Sequence, residues 1–371
     1  MFLYFGAILI FIIHLIITKT AVYGDGRLYY SYLPTYLLDR TLDFTKTFEH
    51  FDITYFSSLQ GPANIYPVGS AIVWAIPFLA ANTVLIIFNA ATGYGLLYEI
   101  FIGVWNISLV FFAIFILRKT LLKFFSESVS NLASIAIFTT TNLLFYGAVD
   151  VINSHSASFF FSSLFLYFFV QKRNLGNSLA LGIIIGGLAL IRSQDYLFLL
   201  FPILDFLRNK KNLMYSFITI FISFVIFIPQ TILWHVYFGG WFTNPYLGVY
   251  TFDFLRPHIL GVLFNSNSGM IWTPFLFVGI YGLFKYFRMR FYPAFYSIVF
   301  IFAQIYLIAS WTIWWGGASF STRMLVSSLP FFGIGIGSFL AYRISSKYHS
   351  FLILLFSAIN AVLIILFLSR N

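Results

Sequence analysis

Long runs of apolar residues alternate with short polar connections along almost the whole chain. The first run, residues 2–18, has no basic region before it and no clear cleavage site, so it is predicted to be a retained membrane helix. Later runs of roughly 15–25 residues suit helices that cross about 30 Å of hydrocarbon. They lie near residues 98–117, 129–148, 156–171, 176–191, 195–207, 213–238, 271–284, 293–310, 324–342 and 351–369. The pattern predicts an all-α polytopic membrane protein with about 11 transmembrane helices in a single domain, residues 1–371.

Basic residues cluster in five of the connections between these runs. The clusters are Arg118/Lys119/Lys123, Lys172/Arg173, Arg208/Lys210/Lys211, Lys285/Arg288/Arg290 and Arg343/Lys347. If all five are cytoplasmic, 13 of the 21 Lys and Arg lie inside, as the positive-inside rule expects. Nine of the 11 acidic residues then lie outside, where residues 20–97 and 239–270 form the two long loops. This arrangement predicts a cell-membrane protein whose active site faces the periplasm or the exterior.

One apolar segment, residues 68–90, does not fit this count. A membrane crossing there would move the Arg118 cluster to the outside. Pro77 and Asn82 interrupt the segment and Trp74 is typical of a membrane interface, so an interfacial or re-entrant helix of the first outer loop is predicted. A conventional membrane span is the alternative.

The composition agrees with a lipid environment and narrows the function. Hydrophobic residues make up 60% of the chain and charged residues 9%, against about 25% charged residues in soluble domains. These figures exclude a soluble enzyme, a disordered chain and a disulfide scaffold. The net charge of +10 is explained by the inner loops, and no nucleic-acid-binding motif is present. The absence of Cys excludes disulfides and thiolate metal sites.

Two groups of candidate site residues lie in the first outer loop. Asp25 stands between two glycines directly after the first run, where a tight turn can bring it close to a ligand. It is either a general base for an attacking hydroxyl or a turn residue that caps the next helix. Arg27 in the same turn is a candidate for substrate binding. Tyr66, before Pro67, either stacks on a sugar or marks an ordinary helix start.

Asp150 and His155 flank the start of the fourth predicted span. An acid and a histidine near the membrane boundary are costly unless they are paired or used. His155 is a candidate donor to a phosphate, and Asp150 a candidate second catalytic group. The alternative is a helix N-cap, with Asn153 or Ser154 satisfying the first turn.

Two arginines enter strongly apolar surroundings. Arg192 either binds an anionic phosphate, with Gln194 beside it, or pairs with Asp195 three residues on. Arg323 follows a diglycine turn and also needs an anionic partner. Trp315, one of two adjacent tryptophans, is a candidate for substrate binding or belongs to an interfacial belt.

The order of these motifs resembles that of a known family. The series GDGRLYYSYLPTYLLDRTLDF, NIYPVGSAIVWAIPF, NSHSASFFFSSLFLY, GLALIRSQDYLFLLFP, LFNSNSGMIWTPF and WWGGASFSTRMLVSSLPFF runs over roughly residues 20–340. It is similar to the bacterial multi-pass proteins of the GT-C glycosyltransferase superfamily, in particular to the protein mannosyltransferase and aminoarabinose transferase branch.

The resemblance implies a polyprenyl-phosphate-linked sugar donor and catalysis at the outer face. It implies an acidic catalytic residue after the first span, where Asp25 stands, and a second acid, for which Asp150 is the nearest match. Arg192 and Arg323 are the implied ligands of the donor phosphate. The chain departs from the family in having Gly26 in place of the second acid of an Asp-Glu pair, and in having no sizeable soluble domain after the last span.

The function predicted is an inverting transfer of a hexose or pentose from the lipid-phosphate donor to a hydroxyl of a lipid or glycan acceptor. No nucleotide or redox cofactor is implied; a divalent cation is compatible with the acidic outer face, but no metal ligands are identified. The first alternative is a transporter or flippase of a lipid-linked sugar that performs no chemistry. A non-catalytic relative that acts as a membrane scaffold is a further alternative.

Overall fold

The protein is helical throughout the part of the chain that the computed structural model describes, residues 1–54, 61–243, 245, 251–288, 292–342 and 346–370. Within these ranges no β-strand occurs, and the single isolated β-bridge joins Phe252 to Trp311. The all-helical prediction is therefore confirmed for these residues.

The described residues form sixteen α-helices, numbered here in chain order. They are α1 (Phe2–Thr18), α2 (Asp25–Leu33), α3 (Thr45–His50), α4 (Gly69–Ile87), α5 (Leu96–Leu121), α6 (Glu127–Thr139), α7 (Leu143–Ala148), α8 (His155–Phe169), α9 (Leu175–Ile191), α10 (Leu200–Arg208), α11 (Leu213–Phe238), α12 (Ile259–Phe264), α13 (Phe275–Arg288), α14 (Tyr292–Ser310), α15 (Leu329–Leu340) and α16 (Ser346–Leu368). Two 3₁₀ segments, Ser193–Leu199 and Arg323–Ser328, lead directly into α10 and α15.

In the described part of the chain, six helical segments are long and apolar enough to cross a membrane. They are Gly69–Ile87, Leu96–Leu121, Lys210–Phe238, Tyr292–Ser310, Arg323–Leu340 and Lys347–Leu368. Three further apolar helices, α1, α8 and α9, are shorter. The chain is thus a helical membrane protein, and the count of 11 spans stays a prediction. The predicted run 129–148 is broken at residues 140–142, between α6 and α7.

Helix α4 covers most of the segment predicted to be interfacial. The Trp74 indole donates to Asn106 Oδ1 at 2.9 Å, and the Tyr98 hydroxyl donates to Asn82 Oδ1 at 2.6 Å, so α4 lies antiparallel to the first half of α5. The chain on both sides of α4 returns to one place, because the His50 and Tyr94 rings lie 3.9 Å apart. These contacts favour a helix that does not cross to the other side, and its interfacial position stays a prediction.

Close backbone approaches bring several helix ends together at one end of the bundle. A β-carbon on Gly69, at the start of α4, would lie 2.4 Å from the carbonyl carbon of Leu190, near the end of α9. The Asn106 side chain donates to the carbonyl of Val151 at 2.8 Å, which ties α5 to the connection before α8. The helix ends that carry most of the candidate residues therefore meet.

Candidate functional site

A cavity of about 280 Å³ lies where these helix ends meet. Its wall includes six of the nine candidate residues, which come from five separate parts of the sequence. They are Asp25, Tyr66, His155, Arg192, Gln194 and Arg323. The sequence motifs thus converge on one place.

Asp25 is the first residue of α2, and glycines fix its position on both sides. Gly24 has a φ of +53°, a left-handed conformation that favours glycine, and it turns the chain into the helix. A β-carbon on Gly26 would lie 2.3 Å from the carbonyl oxygen of Ile152. No side chain fits at position 26, which gives a physical reason for the absence of a second acid there.

Both carboxylate oxygens of Asp25 have partners. Arg323 Nη2 lies 2.7 Å from Oδ2, and the Tyr66 hydroxyl donates to Oδ1 at 3.0 Å. Burial and the negative charge of Asp25 hold the pKa of Tyr66 well above its usual value, so this hydroxyl stays protonated and acts as a donor. The Tyr66 ring packs edge-on against Tyr29, with centroids 5.1 Å apart.

Arg192 is held on the opposite side by uncharged groups. Its Nη1 contacts His155 Nδ1 at 2.5 Å, and its Nη2 donates to Gln194 Oε1 at 3.3 Å. Because a guanidinium can only donate, His155 Nδ1 is the acceptor, and the proton of the neutral ring lies on Nε2. The Gln194 amide donates in turn to the Met324 carbonyl at 2.8 Å. Arg192 is therefore held in place by uncharged groups, with no carboxylate in contact with it.

The balance of charge in the cavity favours an anion. Among the residues that the structure describes, Arg192 has no carboxylate within ion-pair distance, whereas Arg323 has Asp25. The wall thus carries two cations and one anion. Apolar side chains complete the wall, namely Phe252, Leu307, Ile308, Trp311 and Met324. Such a lining suits a ligand that combines an anionic group with an apolar part.

Asp195 does not pair with Arg192, so that alternative reading of the two residues is wrong. Its Oδ1 accepts from the Ser327 hydroxyl at 2.7 Å and from the Gln304 amide at 3.3 Å. Its Oδ2 accepts from the Ser158 hydroxyl at 3.2 Å. The side chain is fully buried and lies away from the cavity wall. Asp195 therefore joins helices, and its charge acts on Arg192 from beyond ion-pair distance.

Three candidate residues lie outside the wall of this cavity, and their predicted roles stay predictions. Arg27 points to the chain after α3, where its Nη1 donates to the Phe51 carbonyl at 2.8 Å. Trp315 lines a neighbouring cavity. Asp150 lies behind the wall, and its neighbour Asn153 caps α8 by accepting from the His155 amide at 2.8 Å. The Asn153 side chain thus satisfies an amide of the first turn of α8, as the helix-start alternative has it, while Ser154 at the N-cap makes no side-chain cap bond.

Asp150 still acts on the site through its charge. Burial raises its pKa to about 6, and the nearby negative charge of Asp25 adds to that effect. The Asn153 side chain and the positive charge of Arg323 act in the opposite direction.

Two further residues shape the site, and neither was predicted from the sequence. Tyr29 lines the cavity one helical turn after Asp25. The i, i+4 spacing of these two residues could have indicated that they share a helix face. Glu99, buried at the start of α5, accepts from the Thr20 hydroxyl at 3.1 Å and from the Ala21 amide. It anchors the short connection that leads to Asp25. Its position, as a lone acid at the start of an apolar run, could have indicated that it has a partner.

Comparison with known proteins found no protein-family model, no curated protein and no solved structure that matches this chain. Across the described ranges, no group of three or more His, Asp or Glu side chains is placed to hold a metal ion.

Proposed function

We propose that the protein is a membrane glycosyltransferase of the GT-C type, which moves a sugar from a polyprenyl-phosphate donor to an acceptor hydroxyl at the outer face. The acceptor oxygen attacks the anomeric carbon, with inversion, and its proton passes to the carboxylate of Asp25. The bond between the anomeric carbon and the phosphate oxygen breaks, and its electron pair leaves with the polyprenyl phosphate. No cofactor takes part in this scheme.

The observation that carries the proposal is one carboxylate facing two arginines in one cavity. Arg192 has no carboxylate within ion-pair distance in the described part of the chain and is the natural ligand for the donor phosphate. The phosphate then competes with Asp25 for Arg323, which lies 2.7 Å from Oδ2 in the free protein. Donor binding thereby releases Asp25 to act as a base, and both arginines stabilise the charge on the leaving phosphate.

The shape and lining of the cavity agree with a lipid-linked donor. A volume of about 280 Å³ is close to the lower end of the range, about 300–1,000 Å³, for small-molecule pockets. It suits one sugar-phosphate head group. Leu307, Ile308 and Trp311 provide an apolar side for the adjoining part of a polyprenyl chain.

The test uses purified protein in lipid nanodiscs with radiolabelled polyprenyl-phosphate sugars and a glycolipid extract as acceptor. We expect release of polyprenyl phosphate, and the Asp25→Asn variant should be slower by about 10²–10⁴-fold because it lacks the base. The matched control is Asp52→Asn, since Asp52 is exposed and has a positive φ that Asn tolerates. A folded Asp25→Asn protein with the wild-type rate contradicts the base assignment.

The transporter alternative predicts a different result in the same nanodiscs and in sealed vesicles. It predicts movement of the intact lipid-linked sugar across the vesicle membrane with no release of free polyprenyl phosphate. That outcome would overturn the proposed enzyme activity.

A further inference from the structure

A second cavity of about 480 Å³ adjoins the first and has a different lining. Three tryptophans form much of its wall, Trp272, Trp314 and Trp315, and the amides of Asn265 and Asn267 face it. Arg370 is the charged residue on this wall in the described part of the chain. Neither Asp25 nor its partners reach it. The proposed donor site therefore leaves this cavity without a role.

The aromatic rings are held in place by their surroundings. Trp314 stacks on His258 with centroids 5.5 Å apart, and its ring rests against Gly261, where a β-carbon would lie 2.7 Å away. The Trp272 indole donates to the Ser266 carbonyl at 2.8 Å. Trp315 packs edge-on against Trp314 and keeps 43% of its surface exposed. The exposed indole of Trp315 thus lies next to the indoles of Trp314 and Trp272, which their contacts hold in place.

The polar side of the cavity is formed by a tight loop. Asn265 Oδ1 accepts from the backbone amides of Asn267 and Ser268, at 2.9 and 3.1 Å. This fixes the Asn265 side chain and leaves its amino group as a donor. Flat indole faces combined with amide donors and acceptors suit a sugar ring, whose C–H face is apolar and whose edge carries hydroxyls.

A glycine turn separates the two cavities. Gly316 and Gly317 have φ values of +73° and +71°. A β-carbon on Gly316 would lie 3.5 Å from Arg323 Nε and 3.6 Å from Met324 Cε, both residues of the first cavity, whereas Gly317 lines the second. The turn that contributes Gly317 to the second cavity therefore lies next to Arg323 and Met324 of the first cavity.

We propose that the second cavity binds a saccharide of the acceptor and so selects a glycan acceptor. This inference rests on the proposed function only in calling the saccharide the acceptor. The first cavity, at about 280 Å³, is small for a donor head group and a glycan together. The larger cavity, within the range of about 300–1,000 Å³ for ligand pockets, supplies the missing recognition surface.

The experiment measures saccharide binding directly, by calorimetry on the full-length protein in nanodiscs. The probes are cellotriose, chitotriose and trigalacturonate, which cover neutral, N-acetylated and acidic rings. We expect at least one to bind, and Trp315→Ala to weaken its binding at least tenfold. Asn267→Ala, an exposed position, should weaken it as well. The matched control, Trp241→Ala, removes a similarly exposed tryptophan, 52% exposed, that lies outside the cavity and should bind like the wild type.

Asp25→Asn protein separates this proposal from the proposed function, since it should bind the saccharide with unchanged affinity whether or not transfer occurs. The proposal is overturned if no probe binds the wild-type protein, or if Trp315→Ala binds as tightly as the wild type. It is also overturned if glycerophosphoglycerol, a soluble lipid head group, occupies the cavity in a Trp315-dependent manner while the saccharides do not.

Discussion

At the scale of single residues, the missing side chain of Gly26 determines how close α2 comes to the connection before α8. Gly26→Ala places a methyl group 2.3 Å from the Ile152 carbonyl oxygen, a backbone atom that cannot rotate away. We expect a loss of about 1–3 kcal/mol in unfolding free energy, together with a displaced Asp25 and reduced transfer. Thermal unfolding in detergent measures the first effect, and the nanodisc assay measures the second.

The matched control is Gly6→Ala in α1, where nothing lies within 4 Å of an added β-carbon. There alanine should be neutral or stabilising by up to about 1 kcal/mol, because it is the better helix former. Equal stability of the two variants would show that the close contact at Gly26 carries no energetic weight.

The carboxyl of Asp150 makes stability depend on pH. Its pKa is raised by burial to about 6, from an ordinary value of 3.8, so the folded protein favours the protonated form. Its stabilising contribution is complete below pH 3.8 and is lost as the pH rises through about 6. The Asp150→Asn side chain cannot ionise. The unfolding temperature of this variant relative to the wild type should therefore rise between pH 5 and pH 7.5.

Asp43→Asn provides the comparison for this titration. Hydrogen bonds from Thr45 lower the pKa of Asp43, which is exposed, so its carboxylate is ionised throughout this pH range. Its unfolding curve should stay parallel to that of the wild type from pH 5 to pH 7.5. If Asp150→Asn also stays parallel, burial does not govern the Asp150 carboxyl.

At the scale of helices, the buried carboxylate of Asp195 joins four elements around the site. Its two oxygens accept hydrogen bonds from Ser158 of α8, Gln304 of α14 and Ser327 of the 3₁₀ segment before α15. Gln304 also accepts from Gln194 at 3.3 Å, and Gln194 accepts from Arg192. A chain of hydrogen bonds thus connects the core of the bundle with the arginine proposed to bind phosphate.

Asp195→Ala leaves buried hydroxyl and amide donors without an acceptor. At about 1–3 kcal/mol for each unsatisfied group, we expect at least about 2 kcal/mol of destabilisation in thermal or denaturant unfolding. The donor KM should also rise, because Gln194 loses its supported position. The exposed Asp52→Asn change should stay within about 0.5 kcal/mol of the wild type. An Asp195→Ala protein of wild-type stability would contradict this role.

The positions of the helices could be predicted from the sequence where hydropathy determines where a helix begins and ends. The run 213–238 matches α11, because a lipid-facing helix needs a continuous apolar run. The break at 140–142 was not predicted. There the Thr140 and Thr141 hydroxyls donate to backbone carbonyls one turn back, and such local bonds leave no trace in hydropathy.

The candidate site was predictable where position along the chain implies position in the membrane. Asp25, Arg192 and Arg323 each stand at the end of an apolar run, and they meet at one end of the bundle. Trp315 and Arg27 were assigned to the same site because they are close in sequence to its residues. The Gly316–Gly317 turn and the Phe51 carbonyl direct them elsewhere, and only tertiary structure shows this.

At the scale of the whole molecule, the cavities and the basic clusters occupy opposite ends of the same helices. Helix α5 begins beside the connection that leads to Asp25, where Glu99 accepts from Thr20, and reaches Arg118 about five turns later. Helix α9 begins next to Lys172 and Arg173 and ends at Arg192. If the basic clusters are cytoplasmic, as the positive-inside rule predicts, the cavities face outward.

The absence of Cys makes this orientation directly testable, since single cysteines can be introduced without removing others. Lys46→Cys and Thr92→Cys flank the segment that contains α4, and Ser128→Cys and Asn209→Cys mark the connections with basic clusters; all four positions are exposed. We expect a membrane-impermeant maleimide to label the first two on intact cells and the last two only after lysis. The contact between Thr47 and Tyr94 hydroxyls, 3.1 Å apart, supports this pairing. If Thr92→Cys instead reacts only after lysis, α4 crosses the membrane and the number of spans must be revised.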